Sequence, residues 1–132
     1  MTPQYKLKQY ILTKCKKSEP ELLNFNILDS EKEIDKYWNI FYAEDIYCDY
    51  LEEFRAGEYK TDIQAEYSRH YESYSVATQM LDGNWIGWTY WFGGGKYGEP
   101  EAIEWIEHAY ELEHLQEEKM VIIHSFKKVD NG

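Results

Sequence analysis

The sequence predicts a single α+β domain, with an antiparallel sheet of roughly three to five strands, a long helix in its N-terminal half and a second, short helix. Three observations predict it. Residues 31–55 carry apolar side chains at helical spacing behind a Ser-x-x-Glu capping box. Residues 60–92 change to a period of two around an Asp-Gly turn. After a glycine run, Pro100 restarts a helical pattern. A chain of 132 residues is about one domain and buries one core without metals or crosslinks. The expected layout is a helical or irregular segment over 1–30, the long helix over 31–56, and a β-rich half over 60–132 with its helix near 100–109.

Taken in order, Thr2-Pro3 caps a helix in which Leu7, Tyr10, Ile11 and Cys15 form the apolar face among five lysines. A strand through Tyr5, Leu7, Gln9 and Ile11 is the rival reading, and the late lysines, which suit a helix C-terminus, favour the helix. Residues 18–29, with Leu22, Leu23, Phe25, Ile27 and Leu28, read as a short helix or an ordered crossing over one edge of the core. Ser30 and Glu33 then open one continuous helix to about Arg55, closed by Gly57 as a left-handed cap. Ile34, Tyr37, Trp38, Phe41, Cys48, Leu51 and Phe54 make its buried stripe.

Ile63, Ala65 and Tyr67 alternate, and so do Tyr74, Val76, Thr78 and Met80, in opposite parity. A bulge or turn is therefore expected near Ser68–Ser73. Leu81-Asp82-Gly83-Asn84 reads as a two-residue hairpin loop pairing Met80 with Trp85, Val76 with Thr89 and Ala77 with Trp88. Both faces of that hairpin are substantially apolar, so both should be covered. Tyr110, Leu112 and His114 suggest a short strand, and Met120, Ile122, His124 and Phe126 a final one.

Composition narrows the function classes. Aromatics make up 17% of the chain, with 13 Tyr, so the core edges are also adhesive surface. The formal charge is −11 and unevenly placed: residues 1–18 hold five Lys and no acid, while residues 19–118 hold 24 acids against six bases. Phosphates would be repelled, which argues against direct nucleic-acid binding and suits a basic protein partner. Two cysteines are too few for a disulfide framework; parity allows one bridge, and two free thiols in a reducing cytosol are the leading expectation. No apolar run has membrane-spanning length and no signal region opens the chain, so a cytoplasmic location is the default.

Several clusters carry candidate chemistry. Asp45, Asp49 and Glu52 fall at i, i+4 and i+7 of the expected helix, with Glu53 beside them. Unpaired like charges at that spacing weaken a helix slightly, which makes the row a candidate partner surface. Glu101, Glu104, Glu107 and Glu111 form a second row on the outer face of the expected 100–109 helix. Gly93-Gly94-Gly95-Lys96 lacks phosphate-loop spacing, and acids follow it, leaving a tight loop that presents Lys96 and Tyr97. Arg69, His70 and Glu72 offer an acid–base group at the strand join, without any nucleophile motif. Glu104 and His108 with Glu111 or His114 match no metal spacing, and no cofactor or metal is expected.

The runs Arg69-His70-Tyr71-Glu72, Trp85-Ile86-Gly87-Trp88-Thr89-Tyr90-Trp91 and Gly93-Gly94-Gly95-Lys96-Tyr97-Gly98-Glu99-Pro100-Glu101 resemble small uncharacterised proteins of bacteriophages and prophages. That resemblance implies a mobile-element accessory protein, of the kind that inhibits host nucleases, restriction enzymes or CRISPR effectors by placing carboxylates where the target expects phosphates. The leading expectation is therefore a non-enzymatic acidic inhibitor of a basic nucleic-acid-handling host protein. The alternative is a small enzyme or ligand-binding protein with a pocket between Arg69–Glu72 and the Gly93–Gly98 loop. A third reading is a homodimer that buries the second apolar sheet face.

Overall fold

A computed structural model describes residues 1–44, 51–116, 118 and 120–129. Its centre is one antiparallel sheet whose strands lie in chain order: β1 (Tyr59–Lys60), β2 (Glu72–Gln79), β3 (Trp85–Phe92) and β4 (Tyr110–Leu112). With the helices α1 (Pro3–Cys15), α2 (Glu31–Ala43) and α3 (Leu51–Ala56) it forms the α+β arrangement that the periodicities predict.

The β2–β3 hairpin sits at the expected place with a register shifted by one. Gln79 faces Trp85, Val76 faces Trp88 and Ser75 faces Thr89, whereas a two-residue loop would pair Gln79 with Ile86. The loop is longer: Gly83 N–H donates to Met80 O (3.0 Å), and Met80 N–H donates to Asn84 O (2.8 Å). Gly83 takes a φ of 88°. This is a turn followed by a left-handed glycine bulge, the three-residue solution, and Asp82 Oδ1 holds it by accepting the Asn84 N–H (2.9 Å). A slip of one changes every cross-strand partner. Here it sets Val76 against Trp88 and Thr78 against Ile86 on the core face.

The N-terminal helix is real, and the rival strand is not. Pro3 occupies its first turn and Thr2 Oγ1 accepts the Tyr5 N–H (3.3 Å). Ser30 Oγ likewise accepts the Glu33 N–H (3.2 Å) and starts α2. The single long helix is not observed. Helix α2 ends at Ala43 with Glu44 as its cap, at a terminus that has no basic residue and where carboxylates are unfavourable. Helix α3 closes at Gly57, whose φ of 74° is the expected left-handed cap. A Cβ there would lie 2.7 Å from Val76 Cβ, so the glycine also admits β2 to the helix end.

Leu7, Ile11 and Leu12 from α1, Ile34 and Phe41 from α2, and Val76, Ile86 and Trp88 from the sheet fill one core. Residues 18–29 form an irregular crossing that adds Leu23, Phe25 and Leu28. Of the expected stripe, Cys48 lies outside the described residues and Leu51 is exposed. The strand expected over 63–67 is absent, since β1 ends at Lys60; the join near Ser68 is present, where Ser68 Oγ accepts the N–H groups of His70 (3.1 Å) and Tyr71 (3.4 Å).

Two later expectations fail. In place of a helix over 100–109 there is a single 3-10 turn, Pro100–Ala102. Glu104 Oε1 accepts the N–H groups of Ile106 (3.0 Å) and Glu107 (3.3 Å), so a side chain replaces the carbonyls that a helix would supply. The short strand at Tyr110 is observed as β4, but the final strand over 120–126 is not; Met120, Ile122, Ile123 and Phe126 are more than four-fifths exposed. Alternation alone forms no strand without a neighbour for its backbone groups.

Cys15 is fully buried and disulfide-bonded, which corrects the expectation of free thiols. The chain's other cysteine, Cys48, lies outside the described residues.

Candidate functional site

The sheet face away from the helical core is where the chain leaves its chemistry unfinished. Opposed residues in an antiparallel pair share a face. The register therefore carries Tyr59, Ala77, Gly87 and Tyr110 in one row across all four strands, and Gln79, Trp85 and Leu112 in the next. Small residues occupy the centre and rings the flanks. Gly87 is required there, because a Cβ would lie 2.7 Å from the Tyr110 ring and 2.9 Å from Leu112.

Above Ala77 opens a groove of about 700 Å³. Tyr59, Trp85 and His114 wall it, with Tyr59 and Trp85 tilted at 52° and 5.7 Å between centroids, and Trp85 and His114 4.5 Å apart. Ile63 and Leu112 add aliphatic surface. Asp62 and Glu113 are the acidic lining residues, and no Lys or Arg is among the described residues that line it. The same face holds three buried polar atoms without a partner among the described residues: Ser75 Oγ, Trp91 Nε1 and Tyr110 Oη. Buried polar atoms are normally answered, so three on one face mark it as unlike the core side.

Of the two expected carboxylate rows, the first lies partly outside the described residues and the second loses the helix that would hold it. Asp45 and Asp49 lie outside the described residues. Glu52 is engaged: its carboxylate takes Arg55 Nη2 (2.6 Å) and Nε (3.0 Å), while Arg55 Nη1 donates to Trp91 O (2.7 Å). The Arg55 guanidinium also lies 4.7 Å from the Tyr90 ring centroid. Glu53 is exposed on α3. Without a helix over 100–109, no helix face aligns Glu101, Glu104, Glu107 and Glu111. Glu101 and Glu107 are exposed, Glu104 caps a turn, and Glu111 pairs with Lys6 Nζ (3.1 Å).

The Arg69–Glu72 join borders a separate open depression of about 590 Å³, lined by Arg69, His70, Glu72, Tyr74 and Phe92 among others, but not by Lys96 or Tyr97. Among the described residues no hydrogen bond or ion pair joins His70 to Arg69 or Glu72, so nothing orients an acid–base group. Lys96 and Tyr97 stand exposed on a loop whose Gly93, Gly94 and Gly95 all have positive φ. The Tyr71 hydroxyl secures it by accepting the Glu99 N–H (3.2 Å). His108 Nδ1 faces Glu66 (3.6 Å) rather than Glu104, and no group of three or more possible metal ligands occurs among the described residues.

Four of the N-terminal lysines have partners within the chain, and Lys14 and Lys17 are exposed. Lys6, buried, reaches both Glu111 and Asp82 (3.3 Å). Burial alone would push its pKa down, but the hydrogen bonds to Glu111 and Asp82 prevail and raise it. Lys8 lies over Tyr5 and Trp38, Lys14 over Tyr10, and Lys16 over Phe25, whose carbonyl accepts its ammonium.

Sequence reasoning missed Tyr59, Asp62, Glu113 and His114 as site residues. The Leu81–Asn84 run, read as a three-residue loop, would have placed Trp85 opposite Gln79 and exposed the groove's wall. Comparison with protein-family models, curated proteins and solved structures gives no match. What fold and site define is a class: an acidic α+β protein with an aromatic groove on its second sheet face. No helix among the described residues is long and apolar enough to cross a membrane.

Proposed function

We propose that this chain is a non-enzymatic acidic binding protein of phage or mobile-element origin. It blocks a basic, nucleic-acid-handling host protein, a nuclease or CRISPR effector, by presenting carboxylates in place of phosphates. The observation that carries the reading is the internal use of the basic segment. Four of the five N-terminal lysines fold against carboxylates or rings of the same chain. Exposed acids such as Glu44, Glu53, Glu58, Glu101 and Glu107 then dominate the outward field. Such a field steers a basic partner and weakens with salt. Action in the host cytoplasm belongs to this proposal.

The test is capture from host lysate at two salt concentrations, with nucleic acid as competitor. Asp45→Lys/Asp49→Lys/Glu53→Lys is the first charge-reversed variant and Glu101→Lys/Glu107→Lys the second; Glu52 is spared because it holds Arg55. A nucleic-acid-handling partner lost at high salt, displaced by nucleic acid and lost on charge reversal supports the reading. Capture indifferent to both salt and charge reversal sinks it.

A further inference from the structure

We infer that the groove beside Tyr59 and Trp85 is a receptor site for an arginine side chain presented by the partner. This rests on the reading of a basic partner and names the contact that charge alone lacks. Three features converge. The aromatic residues Tyr59, Trp85 and His114 line it, and Tyr59 is 62% exposed, so part of its ring is open to a ligand. Ring faces attract cations, and a planar guanidinium stacks on them better than an ammonium does. The acidic lining side chains are Asp62 and Glu113, both exposed, and no Lys or Arg among the described lining residues competes for them.

The floor explains why there is room. Ala77 stands beside Tyr59 in the register, so the sheet raises only a methyl group into this part of the face, whereas the space over Gly87 is taken by the Tyr110 ring and Leu112. An arginine side chain entering over Ala77 would lay its apolar stem along Ile63 and Leu112 and direct its guanidinium N–H groups toward the carboxylates. The protein already makes this arrangement elsewhere. Arg55 lies 4.7 Å from the Tyr90 ring centroid with both Glu52 oxygens as acceptors, the same combination of ring face and carboxylate. The groove offers that combination with the arginine left to come from outside.

The experiment titrates acetyl-Gly-Arg-Gly-amide, and the matching citrulline peptide of equal shape and no charge, into the full chain. The indole N–H resonance of Trp85 is followed by NMR. The arginine peptide should move that resonance saturably and the citrulline peptide should not. Tyr59→Ala and Asp62→Asn/Glu113→Gln should each weaken binding about tenfold, with unchanged spectra elsewhere reporting an intact fold. Equal response to both peptides, no response at Trp85, or full binding by both variants overturns the inference. So does a Trp85 resonance that moves with protein concentration alone, which would assign the groove to a second copy. If the groove variants lose the peptide yet capture the same partner undiminished, the groove is not the partner contact and the acidic-binder reading stands. If the peptide binds as expected but no basic partner is ever captured, that reading fails while the arginine site remains.

Discussion

Lys6 Nζ and Glu111 Oε1 stand 3.1 Å apart across 105 positions of sequence, joining the first helix to the last strand of the sheet. Asp82 shares the same ammonium at 3.3 Å, so one lysine ties helix α1, the β2–β3 turn and β4. Lys6→Met keeps the apolar stem and removes the charge. It should lower stability by about 1–2 kcal/mol, read from urea unfolding. In a double-mutant cycle, Lys6→Met with Glu111→Gln should show coupling of about 1 kcal/mol, because Glu111 is half exposed and water screens its share. Zero coupling would mean that the ammonium contributes only through its stem.

Lys6 and Asp82 set a pH window. The Asn84 backbone N–H lowers the Asp82 pKa below its ordinary 3.8; burial opposes this, and Lys6 adds to the lowering. A carboxyl lowered on folding stabilises above its unfolded value, and that stability is lost as pH falls through the folded one. Lys6 is raised above 10.5, so its contribution is complete below that value and is lost as pH rises through the raised one. Asp82→Asn should therefore flatten the acid limb of a stability–pH curve measured by urea midpoints. An unchanged acid limb would remove Asp82 from the account.

Much of the fold was legible because its signals are local. Thr2-Pro3, Ser30 with Glu33, and Gly57 each act within one helical turn, and each operates where the sequence places it. The hairpin was legible in position but not in register, because Asp82-Gly83 fits both loop lengths and the positive φ of Gly83 suits either. The 100–109 helix was misread because the Glu104 carboxylate outcompetes a helical carbonyl for two N–H groups, a side-chain choice that periodicity does not encode. The candidate groove was the least legible feature. It joins residues 59–63, 77, 85 and 112–116, which meet only through a four-stranded register.

The glycine loop separates conformational strain from steric contact. Gly94 and Gly95 both have positive φ, at 88° and 72°. A Cβ at Gly95 meets nothing within 4 Å, whereas at Gly94 it would lie 2.5 Å from the Tyr71 ring. Gly95→Ala should cost about 1 kcal/mol from backbone strain alone, and Gly94→Ala about 2–3 kcal/mol. Combining Gly94→Ala with Tyr71→Ala should abolish the excess, apart from the cost of losing the Tyr71–Glu99 hydrogen bond. Equal losses in the two single variants would show that Tyr71 yields freely.

Cys15 offers a chemical check. Thiol titration of the denatured, unreduced chain should find no free Cys15, and peptide mapping should identify its partner. Reduction should lower the thermal midpoint, in keeping with about 2–4 kcal/mol for an ordinary disulfide. A freely titrating Cys15 would contradict the bond.

Trp88 and Arg55 make the sharpest stability test, because their network is buried on both sides. Trp88 Nε1 donates to Arg55 O at 2.8 Å, and Arg55 donates to Trp91 O and to Glu52. Trp88→Phe keeps a ring but leaves that carbonyl unanswered and opens a small void. The expected loss is about 2–4 kcal/mol. Arg55→Met has a second, independent readout at Tyr90. Burial first, and then Glu52, raise the Tyr90 pKa, while Arg55 pulls it down. Removing the guanidinium should therefore push the Tyr90 phenol higher still, seen as a later phenolate step in ultraviolet titration. A Tyr90 step that moves earlier would show that the guanidinium is not the cation acting on that ring.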